Sequence, residues 1–425
     1  MRSFRNSISP CSVTEMQQRT RHQRRFQDAE SSLKANLTSN CKTFRFLQPR
    51  RIVSDPIANI LSYLGPRNPW PQPVTQDDEL WLLDNTAFVT TSNAKDGSDM
   101  QVWSAEFTAA VFSRHPYCVV SDAMLYIAEV VGLADDNKAK KTIEQRLRLF
   151  LMDIQPGKQV LALHGGDTQL KLSPGGRNGI SSDVKPIPAA PAGMITPTTA
   201  LVPEGTTGVL QSRTFFAEQQ GWAVISDIDD TIKVTQTSDP RGILRSTFVS
   251  EPEPIPGMPE FYEFIRSEVT SASPFFYLSA SPYNLYPFLR GFRDAHYPHG
   301  QLMLRDASWM SLPGLLHSLT VGTRDYKVDR MIKIRKWLPK KKVICIGDST
   351  QSDPEAYGDI YRKHPDWIKV IFIRKVTDIA ALGIDEKNEP NRFQYAFRGV
   401  PAHVWRVFED PAELHDIVRK VVAAG

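Results

Sequence analysis

The chain has 425 residues, 41% hydrophobic and 23% charged, which are globular proportions and exclude a chain disordered throughout. No apolar run reaches the length of a membrane span and no apolar h-region lies near the N-terminus, so neither a spanning helix nor a secretory signal is expected. The four cysteines (Cys11, Cys41, Cys118, Cys345) lack metal-ligand spacing and read as reduced thiols of a cytoplasmic protein, and the net charge of +4 is uneven, with eleven Lys/Arg against four Asp/Glu in residues 1–60.

Residues 1–75 read as a basic, partly disordered segment. Arg19, Arg21, Arg24 and Arg25 form a cluster that suits a solvated tail, an anionic membrane surface or a mitochondrial presequence. Glu15, Asp28 and Glu30 argue against the last. Asp55 as cap, Pro56 in the first turn and Gly65 at the end predict a short amphipathic helix over 54–65. Its face of Ile57, Ile60, Leu61 and Leu64 suits docking on the protein itself or lying on a membrane.

Residues 76–173 predict an accessory α+β domain, with a strand over 102–112, helices over 121–131 and 142–151, and short strands over 159–163 and 169–172. Residues 174–211 are rich in Pro, Gly, Ser and Ala and read as a linker or long loop. Within them Pro188-Ala189-Ala190-Pro191 fits the loose pattern of an SH3 ligand. From 212 to 425 strands alternate with helices: strands over 222–226, 275–278, 343–346 and 368–373, helices over 259–268, 285–292 and 328–337. That alternation predicts an α/β fold, a parallel sheet with helices on both faces and all strand C-termini on one edge.

Polar residues follow these strands in a consistent way. Asp227, Asp229 and Asp230 end the first; Ser279 and Ser281 end the second; Gly347-Asp348-Ser349 ends the third, with Asp353 five residues on and Lys327 at the start of a preceding helix. Ligands bind at that edge of an open α/β sheet, and carboxylates crowded there need a cation or a proton to relieve them. Asp353 also suits a helix cap.

Asp-x-Asp-x-Thr, a strand ending in Ser, a Lys and a Gly-Asp-Ser with a second Asp together resemble the haloacid-dehalogenase-like superfamily. Ser226–Lys233, Tyr277–Leu285 and Gly347–Tyr357 are similar to the fungal actin-patch-associated phosphatidate phosphatases, over residues 215–376. The resemblance implies a Rossmann-like sheet, Asp227 as nucleophile, Asp229 as acid/base, and Mg²⁺ held by Asp227, Asp348 and the Asp229 carbonyl, with Asp353 close by. It also implies Ser279, with Ser281 as its rival, and Lys327 on the phosphoryl group. Residues 236–256 leave room for a flap and no large cap. Such an open site suits a phospholipid at a peripheral membrane surface, with Tyr283, Tyr286, Phe288, Phe292, Trp309 and the arginines 290, 293 and 305 suited to acyl chains and headgroup or else to core. Two alternatives stand beside phosphatidate hydrolysis: a phosphatase of soluble phosphomonoesters, and a cortical or endocytic adaptor recruiting SH3-type or actin-patch proteins. Nucleic acid is not an expected partner, because the segment carrying the motifs has no basic stripe.

Overall fold

The computed structural model describes residues 64–93, 99–113, 120–152, 154–306, 322–377 and 383–424. The basic cluster, Trp309 and all but the end of the helix expected over 54–65 lie outside them. Among the described residues no helix is long and apolar enough to cross a membrane.

The first part of the chain supplies β1 (Gln72–Pro73), β2 (Asp78–Leu82), β3 (Asn85–Asn93), β4 (Asp99–Ser113), α1 (Val120–Val130), α2 (Asn137–Leu151), β5 (Lys158–Gln159), β6 (Leu161–His164), β7 (Thr168–Lys171), β8 (Ile180–Pro186), β9 (Ile195–Ala200), β10 (Thr207–Val209) and β11 (Gln211–Phe216). Apart from the β1–β5 pair, these strands form a nine-stranded sheet in the order β10-β2-β4-β3-β11-β9-β6-β7, with β8 also paired to β4. Helix α2 starts at 137 and not at 142, because the Asp136 side chain accepts from the Lys138 and Ala139 amides and caps it there.

Residues 174–211 are not a linker: they contain β8, β9, β10 and the start of β11. Pro197 is tolerated inside β9 because its carbonyl accepts from Gly165 N, so its missing donor faces the β6–β7 turn and not β11. Burial in β9 alternates strictly, but the inward residues are Thr196, Thr198 and Ala200, so hydrophobicity could not show the period. Since β11 runs to Phe216 and pairs with β3 and β9, the boundary falls after it and not at 212.

The rest of the chain forms β12 (Trp222–Asp227), α3 (Pro240–Phe248), α4 (Met258–Glu268), β13 (Phe275–Pro282), α5 (Tyr286–His296), β14 (Gln301–Arg305), α6 (Thr323–Trp337), β15 (Lys342–Asp348), α7 (Asp353–Lys363), β16 (Ile368–Arg374), α8 (Pro390–Ala396), β17 (Trp405–Phe408) and α9 (His415–Ala424). Its six strands run β14-β13-β12-β15-β16-β17, every neighbouring pair parallel. Strand β12 is buried along its whole length. Val224 joins one hydrophobic cluster with α4 and α5, and Ala223 and Ile225 join another with α6, α7 and α8. Burial on both faces is why these strands read as continuous apolar runs.

The two sheets share packing. The cluster around Val224 also contains Trp81, Phe112, Ile143 and Leu147 of the first part, and the Phe112 ring stacks on Tyr283 at 5.7 Å.

Candidate active site

Strands β12, β13 and β15 end side by side, and parallel register brings Asp227, Ser279 and Asp348 to one edge. All three are fully buried, as are Lys327 and Asp353. The Lys327 ammonium lies 2.6 Å from Asp227 Oδ1 and 2.6 Å from Asp353 Oδ1 and donates to Gln351 Oε1 at 3.2 Å. Lys327 lies at the start of the second turn of α6 and reaches the sheet edge, while Lys333, nearly two turns on, pairs with Glu106 of β4 at 2.6 Å instead of reaching only solvent. Asp353 begins α7, but its carboxylate is used on Lys327 and on the Asp348 amide, the latter at 3.3 Å. Gly347 makes this approach possible, since a Cβ there would come within 2.6 Å of Asp353 Cβ and 2.9 Å of the Tyr357 ring.

Asp229 is held at both oxygens. Ser279 Oγ donates to Oδ2 at 2.6 Å and Thr235 Oγ1 donates to Oδ1 at 2.8 Å. Ser281 Oγ reaches the same Oδ2 only at 3.4 Å, and its amide donates to Ser279 Oγ at 3.0 Å, so Ser281 supports Ser279. Asp230 stays out of the cluster. It sits at φ 60°, a conformation Asp tolerates, and its carboxylate accepts from the amides of Thr235, Gln236 and Thr237 and from Thr237 Oγ1. It thereby ties down the loop leading to α3, as expected of a turn residue. Residues 236–256, read as a flap, contain that short helix.

Charge in the cluster is unbalanced. Burial pushes Asp227 well above the usual carboxylate range, with Asp353 adding to it and Lys327 opposing. Burial and then Asp353 push Asp348 up to about 7. Lys327 is held above its ordinary value: burial works against it, and Asp227 and Asp353 overcome that. Carboxylate oxygens of Asp227, Asp348 and Asp353 lie within 4.8 Å of one another. Asp348 accepts from Thr350 N and Thr350 Oγ1 through Oδ1, but its buried Oδ2 has no hydrogen-bond partner. Three buried carboxylates against one ammonium, with a lone pair left over, fit a hard divalent cation.

The lipid-facing roles considered for Tyr283, Tyr286, Phe292, Arg290 and Arg293 do not hold. Tyr283, Tyr286 and Phe292 are core residues, and Arg290 and Arg293 pair with Asp84, at 3.1 and 2.7 Å. An amphipathic α5 facing the first sheet gives the same composition as a lipid-binding loop. Thr235 and Lys233 were missed as site residues. Lys233 Nζ donates to Thr235 Oγ1 at 2.8 Å; burial pushes its ammonium down, and Asp229 and Asp230 oppose that. Only Lys233's place four residues past Asp229 could have drawn attention to it.

The family model described as phosphatidate phosphatase APP1, catalytic domain, matches residues 222–375. The chain is 31% identical over 183 residues to the phosphatidate phosphatase APP1 of Saccharomyces cerevisiae, covering 41% of this chain and 30% of that protein. It is 26% identical over 164 residues to an uncharacterized protein of Schizosaccharomyces pombe, covering 37% and 26%. The matched stretch therefore spans less than a third of either relative. It contains β12 to β16 and the whole carboxylate–lysine–serine cluster, and over these residues, 222–375, the chain is similar to the APP1 catalytic-domain family.

Proposed function

We propose that this chain is a Mg²⁺-dependent phosphatidate phosphatase with a haloacid-dehalogenase-like catalytic domain, releasing diacylglycerol and phosphate through an aspartyl-phosphate on Asp227. The observation that carries the reading is the convergence of Asp227, Asp229, Ser279, Lys327 and Asp348 on one sheet edge within the matched segment. The Asp227 carboxylate attacks phosphorus, and the bond from phosphorus to the ester oxygen breaks. Asp229 gives its proton to that leaving oxygen, then takes one from the water that cleaves the acyl phosphate. Ser279 and Lys327 hold the phosphoryl oxygens and offset their charge. Asp227, Asp348 and the Asp229 carbonyl, with Asp353 nearby, would hold Mg²⁺, which would supply charge neutralisation there.

A phospholipid substrate implies work at a membrane surface, with the first part of the chain as an accessory domain and cytoplasmic or cortical actin-patch localisation. The name of the Saccharomyces cerevisiae relative supports the phospholipid substrate, and the short flap supports an open site. Phosphate release is to be measured with Mg²⁺ on phosphatidate in mixed micelles and on soluble phosphomonoesters. Preference for phosphatidate, abolished in Asp227→Asn, is expected. Equal turnover of soluble esters would replace the lipid reading, and no turnover at all would favour the adaptor.

A further inference from the structure

Lys233 is 3% exposed, and among the described residues no carboxylate lies at ion-pair distance from its ammonium. Its Nζ donates to Thr235 Oγ1 at 2.8 Å and to Val234 O at 3.4 Å, and it also lies 5.9 Å from the Phe288 ring centroid. An ammonium buried with no carboxylate in direct contact is costly. Something must be gained from placing it there. Its backbone explains the placement. Lys233 forms a β-bridge with Asp229 and another with Pro254, and its carbonyl accepts from Asp230 N at 2.8 Å. The side chain is thus anchored beside Asp229 by the loop closing on itself.

The hydrogen bonds then have only one consistent direction. An ammonium donates and cannot accept, so Thr235 Oγ1 receives from Lys233 and turns its own proton toward Asp229 Oδ1. We propose that Lys233 and Thr235 are positioning residues: a directed donor chain from Lys233 through Thr235 fixes the Asp229 carboxylate so that its other oxygen stays on Ser279, facing the bond to be cleaved. This rests on the reading of Asp229 as the acid that protonates the leaving oxygen. Without the lysine the Thr235 hydroxyl can rotate onto the Lys233 carbonyl, 3.4 Å away, and Asp229 loses one of its two restraints.

The test uses the full chain and the variants Lys233→Met, Thr235→Val and Thr235→Ser. An alkyl phosphate leaving group needs its proton and a p-nitrophenolate does not. In Lys233→Met and Thr235→Val kcat on alkyl phosphates is expected to fall about 10- to 100-fold, a fraction of a full acid–base contribution. The fall on p-nitrophenyl phosphate is to be at most about threefold, with KM little changed on both esters, and Thr235→Ser is to retain activity. Equal losses on both esters, or none, would overturn the proposal. Crystal structures of Lys233→Met and Thr235→Val read the same point without turnover: Asp229 is expected to leave its Ser279 contact, and an unmoved carboxylate would overturn the proposal. With phosphatidate in mixed micelles serving as an alkyl phosphate, a wild-type chain inactive on it as well as on the soluble esters would instead defeat the assigned reaction.

Discussion

Asp84, in the turn between β2 and β3, and Asp227, at the end of β12, are both buried carboxylates whose surroundings act in opposite directions. Asp84 meets Arg213, Arg290 and Arg293 within 3.1 Å, and its amide donates to the Tyr286 hydroxyl at 2.7 Å. Burial alone would push it up, but Arg293 and then Arg290 hold it well below the carboxylate range. Asp227 has one lysine, shared with Asp353, and is pushed up. The first carboxylate is over-paired and joins the two sheets through α5. The second is under-paired, as the proposed binding of a cation and a phosphate requires. A fold can use one buried charge as a joint and another as a reagent, and the local count of counter-ions distinguishes them.

The largest expected effect comes from converting the reagent. Asp227→Asn is expected to lower kcat by more than about 10⁴-fold, exceeding the roughly 10²–10⁴-fold loss in Asp229→Asn, since nucleophile and proton donor are different groups. Its urea unfolding midpoint should not fall, because one repelling carboxylate is removed. A midpoint drop comparable to that of Asp84→Ala would erase the distinction between joint and reagent.

Next comes the joint. Asp84→Ala leaves three guanidinium groups facing a buried gap and is expected to destabilise by about 3–5 kcal/mol in urea unfolding. Because Asp84 is depressed in the folded state, its stabilisation is present above the unfolded carboxylate value of about 3.9 and is lost as pH falls through and below it. Thermal melts from pH 7 to pH 3 should therefore drop less steeply in Asp84→Asn than in wild type. An identical acid limb would show that the arginines contribute no pairing energy.

A smaller effect tests the under-pairing directly. Mg²⁺ at 100 times its dissociation constant should stabilise the chain by about 2.7 kcal/mol by mass action. Asp348→Asn should abolish the corresponding rise in Tm, and a rise retained in that variant would move the ion elsewhere. Smallest of all, Lys333→Met removes the pair with Glu106, in which both side chains keep some solvent contact, and should change stability by less than about 1 kcal/mol.

The catalytic half was legible because its signals are local. Buried parallel strands are written as apolar runs such as Ala223-Val224-Ile225, and the acids end them abruptly. Strands β14 and β17 were missed because Gln301–Arg305 and Trp405–Phe408 are short and mix polar with apolar residues. The first sheet was mostly illegible. Its β9 alternation is carried by threonines, and its prolines sit where no donor is needed.

The sequence alone determined the order of motifs and the parallel α/β character of residues 222–375, since these follow from residues close in the chain, and it singled out Asp227, Asp229, Ser279, Lys327 and Asp348 as candidates. Tertiary structure decided who pairs with whom. Only folding brings Asp353 onto Lys327, turns Ser281 into a support for Ser279, sends Arg290 and Arg293 to Asp84 and buries Lys233 beside Thr235. The physical reason is that charge and hydrogen-bond partners are chosen by distance in space, over separations as long as 227 positions in the case of Lys333 and Glu106.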